Sequence, residues 1–248
     1  MRIPKNIIIT TMLAISSLLS VGVAIAQGEE EKGDYWKVAK NFLTETEKRE
    51  FKISKVTTNF VITGEESKVP ISVECTEVSV EPTAHKIAGG KPGLVENQFT
   101  LRKCVLLEPE PTKCKIGNGT INLEEMNSEI VENELVAKQT LITLEPAVAG
   151  RPFGRFVIVS IVGQTCGAGF LCPNMKGSML AQVSNTSETG ESKTNAITFP
   201  AAPLINYINE KKEKLKTTEL TIDGKSAGFR GAFEIELNPV EEFGALII

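Results

Sequence analysis

The chain has 248 residues, and its 27 basic and 31 acidic side chains give a net charge of −4 at pH 7. A negative field of this kind repels phosphate backbones, so nucleic acid is excluded as an expected partner. Twenty glycines, twelve prolines and an aromatic content of 6% are typical of many short strands joined by tight turns, and they predict an all-β protein, an antiparallel β-sandwich or barrel-like domain.

The first 26 residues have the pattern of a secretory signal peptide. Arg2 and Lys5 form a short cationic start, an apolar run follows, and Ala24-Ile25-Ala26 supplies the small residues that precede a cleavage site. We expect the mature chain to begin at Gln27 and to contain no membrane span. A single uncleaved membrane anchor is the alternative, because the apolar run approaches the roughly 20 residues that a span needs.

The mature chain, residues 27–248, is long enough to bury the core of one β-rich domain or of two small β subdomains. Its start is ambiguous on periodicity. Trp36, Ala39 and Leu43 keep helical spacing, whereas Trp36 and Val38 alternate as they would in a strand.

Two segments beside the first cysteines change their apolar face partway along. In residues 71–80 the apolar side chains switch from odd to even positions after Cys75, and in residues 99–106 they switch before Cys104. A β-bulge in the first segment would absorb the shift, and two paired strands that bend together would explain both.

The five cysteines predict two disulfides and one remaining thiol, because an exported protein meets oxidising surroundings. Cys75 and Cys104 lie at equal distance from Gly89-Gly90, so a hairpin that turns there brings them onto neighbouring strands. Cys166 and Cys172 bracket a short span with two glycines and are the second predicted pair. Cys114 would then be free, although spacing alone does not settle the connectivity.

Further strands are predicted from alternation and β-branched content. Residues 156–162 are almost continuously apolar, and we interpret them as the central strand of the core, covered on both faces. Other strands are predicted at residues 60–63, 116–123, 130–136, 140–144, 178–183 and 196–199.

The last fifth of the chain contains the one predicted helix and the clearest hairpin. Residues 204–216 carry apolar side chains at helical spacing, followed by a charged cluster that we interpret as a solvated face. Residues 220–237 alternate on either side of Asp223-Gly224, a strong hairpin turn because glycine accepts a positive φ.

Short motifs run through most of the mature chain: Tyr35-Trp36-x-Val38, Phe60-Val61-Ile62, Ile71-x-Val73-x-Cys75, Phe99-x-Leu101-x-x-Cys104, Cys114, Leu144-x-Pro146 and Cys166. Their order resembles that of uncharacterised secreted β-rich proteins of actinobacteria. The resemblance implies an all-β exported protein and a strand at Trp36, and it implies no activity. The chain departs from that group in its higher lysine and glutamate content and in Cys172.

Residues for catalysis are few. His85 is the sole histidine, and neither a G-x-S-x-G elbow nor an H-E-x-x-H pair occurs. Cys166 with His85 as its base is the sharpest enzymatic hypothesis, because flanking glycines could present N–H groups to an oxyanion. The alternative is that Cys166 belongs to a disulfide and His85 lies exposed in a loop. Paired glutamates are the remaining route, but nothing in the sequence singles out a pair.

The sequence therefore predicts no catalytic, cofactor-binding or metal-binding residue. We expect an exported, non-enzymatic protein that is extracellular or retained at the cell envelope, with a binding or structural role towards an extracellular or cell-wall partner. A secreted hydrolase, using Cys166 and His85 or a pair of glutamates, is the alternative hypothesis.

Overall fold

The computed structural model describes residues 34–137, 139–184 and 191–247, and the predicted signal peptide lies outside these ranges. All regular secondary structure in the described ranges is β-strand, which confirms the all-β prediction. The twenty strands are, in chain order, β1 (Asp34–Val38), β2 (Asn41–Phe42), β3 (Lys48–Glu66), β4 (Val69–Ala88), β5 (Leu94–Glu108), β6 (Cys114–Ile116), β7 (Ile121–Leu123), β8 (Met126–Asn133), β9 (Thr140–Pro146), β10 (Gly154–Arg155), β11 (Ile158–Ser160), β12 (Asn174–Lys176), β13 (Met179–Val183), β14 (Thr194–Phe199), β15 (Asn206–Ile208), β16 (Lys214–Lys216), β17 (Thr221–Ile222), β18 (Lys225–Ser226), β19 (Gly228–Asn238) and β20 (Phe243–Ile247).

Eight strands close into a ring. These are β3, β4, β5, β8, β9, β13, β14 and β19, and each pairs antiparallel with the ring strand that follows it in this order. The ring closes because β19 also pairs with β3, from Gly228 opposite Thr63 to Asn238 opposite Glu50. In β14 alternate residues point inward, since Asn195, Ile197 and Phe199 are buried and the residues between them are not. This is the barrel-like form of the predicted domain.

β3, β4 and β5 extend beyond the ring, and a second sheet continues from their extended ends. After Asn97, β5 leaves β8 and pairs with β7 at Thr100 and Leu101. The sheet then continues through β10, β12, β17 and β18, with all pairs antiparallel. It curls back towards β3, since a Cβ atom added to Gly64 would lie 2.8 Å from Cδ1 of Ile222.

Smaller pairings complete the core. β1 pairs with β2 and β20, so the strand at Trp36 is confirmed. The Trp36 side chain is buried, and its Nε1–H donates a hydrogen bond to the Leu94 carbonyl at 2.9 Å. The hairpin of β15 and β16 extends the ring sheet from β8, and β11 pairs with β6.

The change of apolar face in the second hairpin strand is confirmed. In β5, Phe99 and Leu101 are buried, Arg102 and Lys103 are exposed, and Cys104 is buried again. Lys103 has a φ of 50°, the left-handed conformation that lets the chain exchange faces. The bulge predicted after Cys75 is absent from the β4–β5 pair, whose register is unchanged from Cys75 to Val80. The β3–β4 pair does shift its register in β4 between Cys75 and Lys86.

Residues 156–162 are not the central strand. Only β11 is formed there, and it pairs with the short β6 outside the ring. Phe156 and Ile158 are buried, whereas Val162 is 92% exposed beside the turn at Gly163. A short apolar run cannot by itself distinguish a strand covered on both faces from one that buries a single face and then ends in a loop. The predicted strand at residues 116–123 is likewise divided into β6 and β7 by a turn at Gly119.

The predicted helix over residues 204–216 is wrong. The segment forms β15 and β16, joined by a turn in which Asn209 Oδ1 accepts the Glu213 N–H at 2.8 Å. Tyr207 is buried against Val131, Leu141 and Leu180, which come from three ring strands. This burial requires an extended chain along β8, and it outweighs a local helical pattern that has no tertiary partner.

The Asp223-Gly224 turn is confirmed. Both residues have positive φ, 50° and 72°, and the turn joins β17 to β18. The arms of that hairpin are only two residues long, because the chain continues into β19, which pairs with β3 and β14 instead. The predicted alternation of β19 is confirmed by its burial, with Phe229, Phe233 and Ile235 inside.

Candidate functional site

The first predicted disulfide is confirmed and the second is wrong. Cys75 and Cys104 are bonded, and they lie directly opposite each other on β4 and β5. Cys166 is bonded to Cys114 rather than to Cys172, and Cys172 is a free, exposed cysteine.

The pairing of β11 with β6 explains the second bridge. It places Ser160 opposite Cys114, and the chain then turns so that the Cys166 N–H donates to Ser160 Oγ at 3.1 Å. Leu171 forms a bridge with Ile158 and points inward, so the next residue, Cys172, points outward. Strand pairing between distant segments decides this connectivity, and the spacing of the cysteines carries no signal of it.

The Cys166 and His85 hypothesis does not fit this geometry. Cys166 Sγ is bonded to Cys114 and cannot supply the thiolate that a nucleophile requires. His85 is not in a loop, because it lies in β4 opposite Asn97 and is only partly exposed. Its ring meets the edge of Phe51 at a centroid distance of 6.0 Å.

Glu110 lies beside the Cys114–Cys166 bridge and holds the loop that follows Cys166. Its Oε2 accepts the Gly167 N–H at 2.7 Å, and its Oε1 pairs with Lys113 Nζ at 3.1 Å. These two hydrogen bonds hold the pKa of Glu110 below its ordinary value. Glu110, Cys114 and Cys166 form a group of potential metal ligands, but the two sulfur atoms are bonded to each other, so only the carboxylate would remain for a cation.

Three glutamates crowd the outer face of β8 and β9 near Tyr207. Partial burial, and then the charges of Glu145 and Glu210, raise the pKa of Glu129. Burial, and then the charges of Glu145 and Glu129, raise the pKa of Tyr207. Glu145 pairs with Asn127, so Glu129 and Glu145 are diagonal neighbours on adjacent strands of one sheet, about 7 to 8 Å apart. Both side chains are exposed on the same face of this sheet rather than on opposite walls of a cleft, which is the arrangement that paired-carboxylate hydrolysis needs.

A groove opens in the ring wall where β14 ends. β14 stops at Phe199 before Pro200, and it pairs with β13 only at Gln182 and Val183. The neighbouring strands β13 and β19 extend beyond this point, so a gap opens between them where β14 no longer continues. We call this gap the β14 groove; its volume is about 370 Å³, and it is lined by Ser178, Met179, Leu180, Phe199, Pro200, Ala201, Pro203, Leu204, Ile205, Lys216, Thr217, Glu219, Leu220, Ser226, Ala227, Gly228 and Phe229.

Backbone contacts tie the walls of the β14 groove to each other. The Ser178 N–H donates to the Thr218 carbonyl at 3.0 Å, and the Thr218 N–H donates back to Ser178 Oγ at 2.9 Å. The Thr217 N–H donates to the Ile205 carbonyl at 2.9 Å. The groove therefore has an apolar lining held by hydrogen-bonded segments, with Lys216 and Glu219 as its charged side chains. A concave site of this size and composition is typical of small-molecule binding.

A second, much smaller cavity lies inside the ring. Its volume is about 20 Å³, and apolar and aromatic side chains from β3, β5, β9, β14 and β19 line it together with Trp36, Asn97 and Ser128. We call it the ring cavity. The Asn97 Nδ2 donates to Ser128 Oγ at 3.0 Å and to the Val95 carbonyl at 3.4 Å. Asn97 Oδ1 is buried and has no hydrogen-bond partner within the described part of the chain.

Sequence reasoning missed both cavities, although each has a signal. Asn97 shares the parity of Val95, Phe99 and Leu101, so a polar side chain stands on the apolar face of a strand. Pro200 directly follows a predicted strand and shows where a ladder partner ends. Neither signal reveals which distant strands surround the position.

In the described ranges the structure contains no helix with the length and apolar character for a membrane crossing. Comparisons of the chain with protein-family models, with curated proteins and with solved structures gave no match.

Proposed function

We propose that this chain is an exported, non-enzymatic binding protein, extracellular or retained at the cell envelope, and that the β14 groove is its ligand site. The observation that carries the proposal is the groove itself, about 370 Å³ in volume, with a mostly apolar lining and hydrogen-bonded walls. The two disulfides and the signal-peptide pattern of residues 1–26 support an oxidising location.

The groove lining favours a small ligand with an apolar body and one polar group. Leu180, Leu220 and Phe229 supply buried apolar contacts, and Lys216 offers the cation at the rim. An anionic amphiphile matches both features, because its body replaces water on the apolar wall and its charge pairs with the lysine.

Blocking the groove with one side chain tests the proposal. Ala201 lines the groove, whereas its neighbour Ala202 does not, and both are exposed. The purified protein is titrated calorimetrically with anilinonaphthalene sulfonate, an apolar dye with one negative charge. We expect Ala201→Trp to weaken dye binding at least about tenfold, since the loss of contact with even one methylene group in an apolar pocket has an effect of this size. Ala202→Trp should leave the affinity unchanged. If the wild-type protein does not bind the dye, or if the two variants bind it equally well, the groove is not the site.

A further inference from the structure

One aromatic ring stands between the β14 groove and the ring cavity. Among the described residues that line the β14 groove or the ring cavity, Phe199 is the only one that lines both. Its ring centroid lies 5.1 Å from that of Phe229, on the groove side, and 6.3 Å from that of Phe233, on the cavity side. Phe199 is also the last residue of β14, so no further strand residue restrains it from that side.

Asn97 makes the ring cavity unusual. The side chain is 1% exposed, yet one polar atom has no hydrogen-bond partner in the described chain. The Val95 carbonyl can only accept a hydrogen bond, so the amide nitrogen must face it, and the unpaired atom is the acceptor Oδ1. A buried acceptor without a hydrogen bond lowers the stability of the folded protein, because it has lost its hydration and gained no partner. A donor that entered the ring cavity would restore this lost free energy.

The sizes of the two cavities are complementary. The ring cavity, about 20 Å³, has space for one group of the size of a water molecule or a hydroxyl. The β14 groove, about 370 Å³, has space for the body of a small molecule. A hydroxyl that reached the ring cavity would donate a hydrogen bond to Asn97 Oδ1, while an attached apolar chain would pass Phe199 and remain in the groove.

We propose that the β14 groove and the ring cavity are two ends of one site, that Phe199 is the movable partition between them, and that Asn97 is the polar anchor. The ligand is then a slender apolar molecule with a hydroxyl donor at the end that reaches the ring cavity, and the charged group that pairs with Lys216 lies at its opposite end. This inference rests on the proposed function of the groove and deepens it. An analogue without the donor leaves Oδ1 unpaired and is rejected, as sites with a buried polar group reject ligands that lack its partner.

Two probes of equal size separate the anchor from the groove. The purified protein is titrated with n-octanol and with n-heptyl methyl ether, each in competition with anilinonaphthalene sulfonate. We expect a preference of about tenfold for the alcohol, the upper range for one neutral hydrogen bond. Asn97→Leu should abolish the preference and keep the binding of the ether. Asn127→Leu is the matched control on the exposed face of β8 and should retain the preference.

The outcomes distinguish the two proposals. If neither probe nor the dye binds, the proposed function fails. If the probes bind and Ala201→Trp blocks them, but the wild-type protein shows no preference for the alcohol, or Asn97→Leu keeps the preference that Asn127→Leu shows, the groove stands and the anchor is wrong. Phe199→Leu tests the partition without touching Asn97: we expect faster association of n-octanol in stopped-flow mixing, and an unchanged rate would overturn the role of Phe199.

Discussion

Cys75 and Cys104 face each other across β4 and β5 with Cα atoms 4.0 Å apart, at the place where β5 exchanges its inward face. The bridge lies beyond the point where β5 passes from the ring to the second sheet, since Cys104 follows Leu101, which pairs with β7. It holds the pair in register while the exposed Lys103 turns outward with positive φ. The disulfide therefore fastens the hairpin that both sheets share.

Removing this bridge should lower the free energy of unfolding substantially. The double change Cys75→Ala and Cys104→Ala opens a loop of 29 residues, and a loop of that length corresponds to about 3.6 kcal/mol of chain entropy in the unfolded state. Urea denaturation followed by circular dichroism measures the loss. Cys172→Ala is the control, since that thiol is free and exposed, and it should change stability by less than about 0.5 kcal/mol. Equal midpoints for the double variant and wild type would contradict the assignment.

Gly89→Ala should be more disruptive than Gly150→Ala, for a steric reason. A Cβ atom at Gly89 would lie 2.2 Å from the Thr44 carbonyl oxygen, a backbone atom that cannot rotate away. We expect a cost of about 3 kcal/mol, at the upper end for overpacking. Gly150 has open space and a φ of 80°, so alanine there meets only backbone strain, about 1 kcal/mol. Thermal unfolding of both variants gives the comparison, and a milder effect at Gly89 would show that the turn does not pack against Thr44.

Glu129→Gln should stabilise the protein at neutral pH. Partial burial, Glu145 and Glu210 raise the folded-state pKa of Glu129, so the native state holds this proton more tightly than the unfolded state does. Stability must then fall as pH rises from the unfolded value, about 4.3, through the raised folded value. The variant lacks this penalty, and its melting temperature should exceed that of wild type at pH 7 by a small margin that closes towards pH 3. Glu65→Gln, on the distant part of β3, serves as control. A margin that is constant with pH would contradict a titrating cause.

The signal-peptide interpretation predicts a defined product. When the full chain is expressed in a host with a secretory pathway, mass spectrometry of the exported protein should find Gln27 at its N-terminus. Ala26→Asp should block this cleavage, because the residue before the cut must be small and uncharged. Export of the uncut chain, or retention of the wild-type chain with reduced cysteines inside the cell, would be incompatible with the interpretation.

Local patterns predicted several features of the fold correctly. The alternation of β19, the turn at Asp223-Gly224 and the symmetric placement of Cys75 and Cys104 about Gly89-Gly90 each depend on residues close in sequence or on one hairpin. These features are encoded by side-chain parity and by the few residues that accept positive φ. The helix at residues 204–216 and the central strand at 156–162 were wrong because the deciding contacts come from elsewhere in the chain.

The amino-acid sequence by itself determined that this protein is built of β-strands, where its tightest turns lie and which cysteines bridge its main hairpin. Only the tertiary structure decided that eight of the strands close into a ring, that Cys166 pairs with Cys114, and that Phe199 and Asn97 border two neighbouring cavities. The physical reason is that a pleated strand specifies which of its side chains share a face, whereas the partner beside that face is chosen by non-local pairing and by the burial that the whole ring achieves.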